Sequence, residues 1–285
     1  MEEGYILPLI IIFNMTVKKP LILVTNDDGI TSPGILALSN EMKELGEVVV
    51  IAPDKPQSGV GHAITINSTL RVTKTKFHSV SVEYSISGTP VDCVKMAVNE
   101  ILDRKPDLIV SGINHGSNIS INVIYSGTMS AAIEGAIEGI PSVGFSLLHD
   151  SINADFTASR YIAKIISKQI LSKRLPKNIC LNVNVPKIHL SELKGIKVCR
   201  QARATWIEEF DKRKDPNGNP YYWLTGKFVN YDEGKTDTDV WAVKNNFASV
   251  VPVQFDMTGY KAMGRIHKLK MNDAFLQQSK MNRKK

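Results

Sequence analysis

Short apolar runs recur along the first two thirds of the chain, each followed by a polar loop and a stretch of helical periodicity. The runs at 21–25 and 47–52 consist almost entirely of apolar and β-branched residues, which is typical of strands buried on both faces of a parallel sheet. Between them, Ser32-Pro33-Gly34 predicts a helix start with Ser32 as its cap, and Gly46 predicts its end. This strand, helix, strand order predicts a right-handed βαβ unit.

The same alternation continues beyond this unit. Further apolar runs predict strands at 107–110, 141–148 and 179–185, and helices that begin at Thr89-Pro90, after Tyr125 and near 155. Alternating apolar residues at 63–87 predict hairpin strands that extend the sheet. After residue 185 the alternation fades into shorter β segments at 198–210, 221–225 and 247–253, with a helix near 263–278. The pattern predicts an α/β fold with a mostly parallel sheet.

Composition fits a globular protein without a disulfide framework. The chain has 285 residues, 43% of them hydrophobic and 22% charged. Its three cysteines (Cys93, Cys180 and Cys199) are far apart and lack metal-binding spacing, which favours a reducing cytoplasm. The formal charge of +7 lies partly in the basic C-terminal tail, which favours a solvated end over a nucleic-acid patch, although positive charge also attracts phosphorylated substrates.

The N-terminus carries an apolar segment at 5–13 that is shorter than the ~20 residues needed to cross a bilayer. It follows Glu2 and Glu3, whereas a signal peptide has a basic region there. We expect no membrane partner, a natural start at Met15, and residues 1–19 as an extension.

Two adjacent carboxylates, Asp27 and Asp28, follow the first buried strand. Adjacent charges at the end of a buried strand repel each other and resist desolvation, and a hard cation with oxygen ligands offsets that cost. The alternative is a plain turn in which Asn26 and the aspartates bond locally and Gly29 supplies a positive φ.

Other polar loops reach the same sheet edge if the strands are parallel. They carry Ser58, Asn114 and Asn118, and ligands in open parallel sheets bind at the carboxyl ends of the strands. Carboxylate, hydroxyl and amide oxygens suit Mg²⁺, Mn²⁺ or Ca²⁺ better than zinc or copper. Taken singly, each residue is more typical of a turn.

The helix start at 126–128 is either a binding site for a phosphate group, here called the phosphate seat, or only a helix cap. His62 and His115 are lone loop histidines that we expect at the surface or behind the site, with a proton-donor role for His115 as the alternative.

Together these segments resemble the SurE (survival protein E) family. The matching motifs are Val-Thr-Asn-Asp-Asp-Gly-Ile at 24–30, Ala-Pro-Asp at 52–54 with Gln57-Ser58-Gly59, Gly88-Thr89-Pro90 with Asp92-Cys93-Val94, Ser111-Gly112-Ile113-Asn114 with Gly116 and Asn118, and Tyr125-Ser126-Gly127-Thr128. They run in the family's order from about Pro20 to Pro252, and a weaker match covers Asn182–Pro186 and Thr238-Asp239.

The resemblance implies a metal-dependent nucleotidase with a Rossmann-like three-layer core at 20–190. It implies a β-rich extension and C-terminal helix at 191–285 that exchange elements between subunits of a homodimer or homotetramer. The family's metal ligands match Asp27, Asp28, Ser58 and Asn114; its active-site amide matches Asn118; its phosphate-contacting segment matches Ser126, Gly127 and Thr128. His115 departs from the family pattern, in which many members have a small residue.

The implied reaction is hydrolysis of nucleoside 5′- and 3′-monophosphates, with short polyphosphate as a further candidate substrate. One Mg²⁺ or Mn²⁺ per subunit would activate the attacking water, with Asp27, Asp28 and Asn118 as catalytic residues. The alternatives are Asp27 or Asp28 as the base or as the nucleophile.

Three rival functions fit the residues less well. A dinucleotide-binding oxidoreductase requires Gly-x-Gly-x-x-Gly after the first strand, where this chain has Asn-Asp-Asp-Gly. A phosphatase of the Asp-x-Asp type requires a residue between its carboxylates. A nucleic-acid-binding stress protein requires a basic stripe interleaved with aromatics, whereas the lysines here are scattered and aromatics are 7%, so we expect no stable nucleic-acid partner.

Overall fold

The computed structural model describes residues 18–149, 151 and 153–282 of the chain. The apolar segment at 5–13, the expected start at Met15 and the last residues of the basic tail at 283–285 lie outside the described residues. The predictions made for them stay predictions.

The elements alternate as the apolar pattern predicts. The strands are β1 (Leu21–Thr25), β2 (Glu47–Pro53), β3 (Val72–Lys74), β4 (Val82–Ile86), β5 (Leu108–His115), β6 (Ser142–Leu147), β7 (Ile179–Val185), β8 (Gly195–Val198), β9 (Ala204–Lys214), β10 (Pro220–Asn230) and β11 (Phe247–Gln254). The α-helices are α1 (Pro33–Met42), α2 (Pro90–Met96), α3 (Gly127–Ile137), α4 (Thr157–Lys173), α5 (Asp239–Lys244), α6 (Tyr260–His267) and α7 (Met271–Asn282).

One nine-stranded sheet organises these elements, in the order β3-β4-β2-β1-β5-β6-β7-β11-β8. Strands β4, β2, β1, β5, β6 and β7 run parallel to one another. The chain moves outward from β1 to β2 on one side and from β5 to β7 on the other, so the strand order reverses between β1 and β5. The carboxyl ends of these two strands therefore flank a topological switch point, where such sheets bind ligands.

Helices cover both faces of the sheet because successive strand residues point to opposite sides. Ile22 and Val24 belong to the hydrophobic cluster that also contains the buried residues of α1 and α4. Leu21 and Leu23 belong to the opposite cluster, with residues of α2 and α3. The predicted three-layer α/β fold is confirmed.

Strand β5 continues further than predicted. The apolar run ends at Val110, but the strand extends to His115, with a register shift against β6 between Ser111 and Asn114. As a result, Asn114 and His115, which were predicted in a loop, lie at the end of β5 and pair with β6. A period-two pattern does not predict such an extension, because polar residues at the end of a strand resemble a loop.

The region 63–87 forms less strand than predicted. Only β3 and β4 pair antiparallel there, β4 runs parallel to β2, and residues 63–71 contain no strand.

Beyond residue 190, β11 and β8 join the main sheet, and β9 and β10 form a separate antiparallel ribbon of two 11-residue strands. The segment predicted at 221–225 is longer, as β10, and the one predicted at 198–210 is divided between the end of β8 and β9. The ribbon agrees with the predicted β-rich C-terminal part. The domain boundaries at residues 19/20 and 190/191 stay predictions.

Residues 254–285 form a second unit, of which 254–282 are described. The helix predicted near 263–278 is divided into α6 and α7. The two helices expose several large apolar side chains: Tyr260, Met263, Ile266, Met271, Phe275 and Leu276. Among the described residues, no helix combines the length and hydropathy needed to cross a membrane.

Candidate active site

The acidic loop after β1 is shaped by Asn26. The Asn26 Nδ2 group donates to the Gly29 carbonyl oxygen at 2.9 Å and to Ser32 Oγ at 2.8 Å. Gly29 has a φ of +93°, which a side chain would strain. Ser32 precedes α1 at the cap position, but its hydroxyl makes no cap hydrogen bond. The predicted capping role of the Ser32 side chain is therefore wrong, because Asn26 engages that hydroxyl and closes the loop.

Asp27 is buried, with 4% of its surface exposed. Thr128 Oγ1 at the start of α3 donates to Asp27 Oδ1 at 2.5 Å. Burial raises the pKa of Asp27 to about 6, and the neighbouring charge of Asp28 acts in the same direction, against the hydrogen bonds from Thr128. A methyl group added at Gly127 would lie 2.6 Å from Asp27 Cβ. The carboxylate therefore occupies space that only a glycine at 127 leaves open.

Asp28 is partly exposed and faces His115 at the end of β5. The His115 backbone N–H donates to Asp28 Oδ2 at 3.3 Å, and His115 Nδ1 lies 3.2 Å from the same oxygen. The imidazole packs edge-on against Phe156, with ring centroids 5.2 Å apart. His115 is therefore neither at the surface nor isolated, and it holds the Asp28 carboxylate across the switch point.

Ser58 is exposed in the loop after β2. The preceding residue, Gln57, donates its backbone N–H to the Asp27 carbonyl oxygen at 2.7 Å. Gly61 donates its N–H to the Tyr125 carbonyl oxygen at 3.3 Å. The backbone thus brings the Ser58 loop to the acidic loop and to the segment before α3, while the hydrogen bonds among the described residues do not include the Ser58 hydroxyl.

The far end of the Ser58 loop is tied to two helices. His62 Nε2 lies 2.9 Å from Oε2 of the buried Glu134 in α3, which also pairs with Lys95 in α2. Burial alone would raise the pKa of Glu134, but hydrogen bonds from His62 and Lys95 outweigh it and hold the pKa below its ordinary value. Thr65 Oγ1 donates to Asp92 Oδ2 at 2.6 Å. His62 therefore anchors this loop.

Asn114 lies at the β5 register shift, beside His115. Its Nδ2 group donates to the Gly116 carbonyl oxygen at 3.1 Å. In the described part of the chain, its Oδ1 atom has no hydrogen-bond donor. The amide oxygen is thus free to accept, which is the property that the predicted ligand role requires.

Asn118 is buried and held by the ends of β6 and β7. Its backbone N–H donates to Asn184 Oδ1 at 2.8 Å, and its carbonyl oxygen accepts from Asn182 Nδ2 at 2.8 Å. Its own Nδ2 group donates to Ser146 Oγ at 2.8 Å. Asn182 and Asn184 carry no predicted role. Two asparagines at positions i and i+2 of a buried strand share one face, and that pattern is the signal that identifies them.

We expect Asn184→Ala to destabilise the protein by about 2 kcal/mol, because it leaves the buried N–H of Asn118 without an acceptor. Phosphate release should also slow, because the Asn118 loop loses one of its two backbone anchors. Urea unfolding measures the first effect. Asn40→Ala, at an exposed position in α1, is the matched control and should change stability by less than about 0.5 kcal/mol. Equal unfolding midpoints for wild type and Asn184→Ala would contradict the anchoring role.

Asp239, the first residue of α5, is a buried carboxylate that joins distant segments. It accepts backbone N–H groups from Ser120 at 2.8 Å, Ala202 at 2.9 Å and Val240 at 2.8 Å. Burial raises the pKa of Asp239 against these hydrogen bonds. The Asn118 loop is therefore fixed to the segment that enters β9.

The oxygen donors at the switch point fit a hard divalent cation. In the described ranges, neither Asp27 nor Asp28 pairs with a lysine or arginine, and His115 is the basic side chain in contact with Asp28. Two adjacent carboxylates without a lysine or arginine partner, and a free amide oxygen on the strand end that Asp28 contacts, are ligand types that suit Mg²⁺ or Mn²⁺. Asp27, Asp28 and Asn114 fit this role by position, and Ser58 fits it through its loop.

The structure brings several of the predicted residues into contact. Asp27 contacts Thr128 directly and lies against Gly127, and Asp28 meets the end of β5 next to Asn114. Ser126 lies at the cap of α3, where its hydroxyl accepts from the Met129 N–H at 3.0 Å. Asn118 is adjacent in the β5–α3 connection, but its hydrogen bonds run to β6 and β7. The roles of these residues stay predictions.

Comparison with known proteins gives a consistent family likeness. The family model "Survival protein SurE" matches residues 22–208. A protein of Flavobacterium psychrophilum named 5′-nucleotidase SurE is 62% identical over 256 residues, covering 90% of this chain and 99% of its own. A Christiangramia forsetii protein of the same name is also 62% identical, over 262 residues, covering 91% and 100%. The crystal structure of the SurE protein from Aquifex aeolicus superposes with a TM-score of 0.77 at 42% identity, covering 88% of this chain and all of its own.

Proposed function

The chain belongs to the SurE family and is a 5′-nucleotidase; from this premise we propose that it hydrolyses nucleoside 5′- and 3′-monophosphates with the help of one Mg²⁺ or Mn²⁺ bound by Asp27, Asp28, Ser58 and Asn114. Short polyphosphate is a further candidate substrate. The observation that carries the proposal is the contact between the acidic loop and the start of α3, where Thr128 donates to Asp27.

The start of α3 supplies the phosphate seat in this proposal. The first backbone N–H groups of a helix lack intrahelical acceptors and carry the positive end of the helix dipole, so they favour an anion. The Ser126 hydroxyl caps the helix through the Met129 N–H, which fixes its first turn. Gly127 and Thr128 then present the phosphate-binding surface directly beside Asp27.

Asp27 and Asp28 hold the cation, and the chain positions both carboxylates before any ligand arrives. Thr128 orients Asp27, and His115 orients Asp28. Hydrogen bonds from Asn182 and to Asn184 fix the Asn118 backbone at the ends of β6 and β7, within the connection that leads to α3. A divalent cation bound here would neutralise phosphate charge and lower the pKa of the water that attacks phosphorus. With both carboxylates bound to it, neither is free to act as nucleophile or base.

A homodimer or homotetramer is also part of the proposal. Its support is the set of apolar side chains exposed on the β9–β10 ribbon, such as Phe210, Trp223 and Leu224, and on α6 and α7. Large exposed apolar patches mark interaction surfaces. A cytoplasmic location stays a proposal supported by the three free cysteines.

Phosphate release from a panel of 5′- and 3′-nucleoside monophosphates tests the function. We expect release from 5′-monophosphates with Mg²⁺ or Mn²⁺, loss of release in EDTA, and recovery on adding the metal back. The 3′-monophosphates and short polyphosphate, assayed in parallel, test the wider substrate range.

Two outcomes would overturn parts of this proposal separately. Equally fast release in EDTA would remove the metal from the reaction while keeping the nucleotidase. Release from 5′- but not 3′-monophosphates would restrict the substrate class and leave the site unchanged.

A further inference from the structure

A cavity of about 620 Å³ lies between the candidate active site and the β9–β10 ribbon. Gly59 and Tyr125 line one side, and Trp206, Glu208 and Leu224 of the ribbon line the other. Small-molecule sites commonly have volumes of roughly 300–1,000 Å³, with mostly apolar walls and a few polar groups. This cavity has that size and that kind of wall.

The cavity adjoins the proposed phosphate seat at 126–128. Gly59 directly follows Ser58, and Tyr125 directly precedes Ser126. The hydrogen bond from the Gly61 N–H to the Tyr125 carbonyl oxygen joins the two segments at 3.3 Å. A ligand whose phosphate contacts the start of α3 therefore has this cavity as adjacent space for the rest of the molecule.

Trp206 presents a fixed aromatic surface to the cavity. Its Nε1 group donates to Asn122 Oδ1 at 2.8 Å, and its ring packs edge-on against Phe228 at a centroid distance of 5.5 Å. The side chain nevertheless stays 43% exposed. With the indole N–H already engaged and the orientation set by two contacts, the ring surface is what remains for a ligand. A planar aromatic group is the partner that such a surface favours.

Glu208 adds a hydrogen-bond acceptor beside this aromatic wall. It lies two residues after Trp206 on β9, so both side chains project from the same face of the ribbon. Glu208 is exposed, and no hydrogen bond or ion pair within the described ranges engages its carboxylate. A carboxylate at this position repels a second phosphate and accepts from hydroxyl or amino groups.

We propose that this cavity holds the nucleoside part of the substrate, with the base stacked on Trp206 and Glu208 accepting a hydrogen bond from a hydroxyl or amino group of the nucleoside. The inference deepens the proposed function and rests on it, since the phosphate position comes from the site at 126–128. Trp206 and Glu208 are then specificity-determining residues. Arg203, which directly precedes β9, pairs instead with Asp232 at 3.0 Å.

The test compares substrates with and without a base. We expect Trp206→Ala, assayed as the full chain with Mg²⁺, to lower kcat/KM for AMP about tenfold, the scale of one base–aromatic stacking contact, and to leave kcat/KM for ribose 5-phosphate unchanged. Trp206→Phe should retain most of the AMP activity. The matched control is Tyr231→Ala, because Tyr231 directly follows β10, is 59% exposed and is absent from the cavity wall; kcat/KM for both substrates should stay unchanged.

Binding of adenosine, measured by calorimetry, separates this inference from the proposed function. Adenosine binding that Trp206→Ala removes supports the cavity even if the protein releases no phosphate from any nucleotide. Normal hydrolysis with an unchanged ratio of AMP to ribose 5-phosphate activity in Trp206→Ala overturns the inference and leaves the nucleotidase intact. An equal loss on both substrates assigns Trp206 to ribbon structure and also overturns it.

The role of Glu208 is tested with Glu208→Ala. We expect kcat/KM for AMP to fall about tenfold, as for the loss of a hydrogen bond to a charged group. If 2′-deoxy-AMP is insensitive to the substitution, the donor is the ribose 2′-hydroxyl; if IMP is insensitive, the donor is the adenine amino group. Unchanged AMP kinetics in Glu208→Ala would overturn the role of this residue.

Discussion

Asp28→Asn is expected to reduce phosphate release from 5′-nucleoside monophosphates by about 1000-fold. The substitution keeps the shape of the side chain and removes one of the two charges proposed to hold the cation. A loss of about 4 kcal/mol in transition-state stabilisation corresponds to that factor. Calorimetry with Mn²⁺ alone should show weaker binding. Because the Asp28 charge raises the pKa of Asp27, the pKa of Asp27 should fall toward its ordinary range in the variant.

The matched control is Asp103→Asn, at an exposed position in the turn before β5. It makes the same chemical change at the opposite end of the sheet and should leave both activity and Mn²⁺ binding unaltered. The metal-free Asp28→Asn protein should unfold at the same temperature as wild type or higher, because one repulsion between carboxylates is gone. An Asp28→Asn protein with full activity would sink the assignment of Asp28 to the site.

Gly127→Ala is expected to reduce kcat by about 100-fold, because the new methyl group would lie 2.6 Å from Asp27 Cβ and 2.9 Å from Asp27 Oδ2. Such a contact forces the carboxylate or the start of α3 to move, and displacements of about 1 Å in an active site cost on that order. The overpacking should also lower the free energy of unfolding by about 1–3 kcal/mol. Steady-state kinetics and urea unfolding on the same preparation measure both effects.

Gly264→Ala makes the same change in α6, where an added methyl group meets no atom within 4 Å. It should leave kcat unchanged and stabilise its helix by up to about 1 kcal/mol, because alanine favours helix more than glycine does. If Gly127→Ala instead keeps wild-type kcat and gains stability, Asp27 is free to move and its fixed position is not needed for turnover.

Local sequence patterns predict the sheet well, because the apolar side chains of a strand are the ones that the fold buries. The apolar run at 21–25 gives β1, and Thr89 with Asp92 forms the capping box of α2. Placement of the acidic loop at the sheet edge follows from the same pattern, since a βαβ unit fixes which end of each strand carries its loop.

The partners of the site residues depend on strand order, which local pattern does not contain. His115 reaches Asp28 because β5 lies next to β1, and Asn118 is clamped because β6 and β7 follow β5 in the sheet. The bounds of β9 and the length of β10 differ from the prediction for another reason: most of their residues are exposed, so alternation of apolar and polar residues is weak.

The three N–H groups that converge on Asp239 have a consequence for local unfolding. When the segment before β9 unfolds locally, the hydrogen bond from the Ala202 N–H to the Asp239 carboxylate breaks. The carboxylate, still bound to the Ser120 N–H, then has one hydrogen-bond donor fewer. Such shared groups make neighbouring segments open as one cooperative unit. We therefore expect the loop that carries Asn118 and the base of the ribbon to exchange their amide hydrogens together, and a nucleotide bound in the proposed cavity to slow exchange in both.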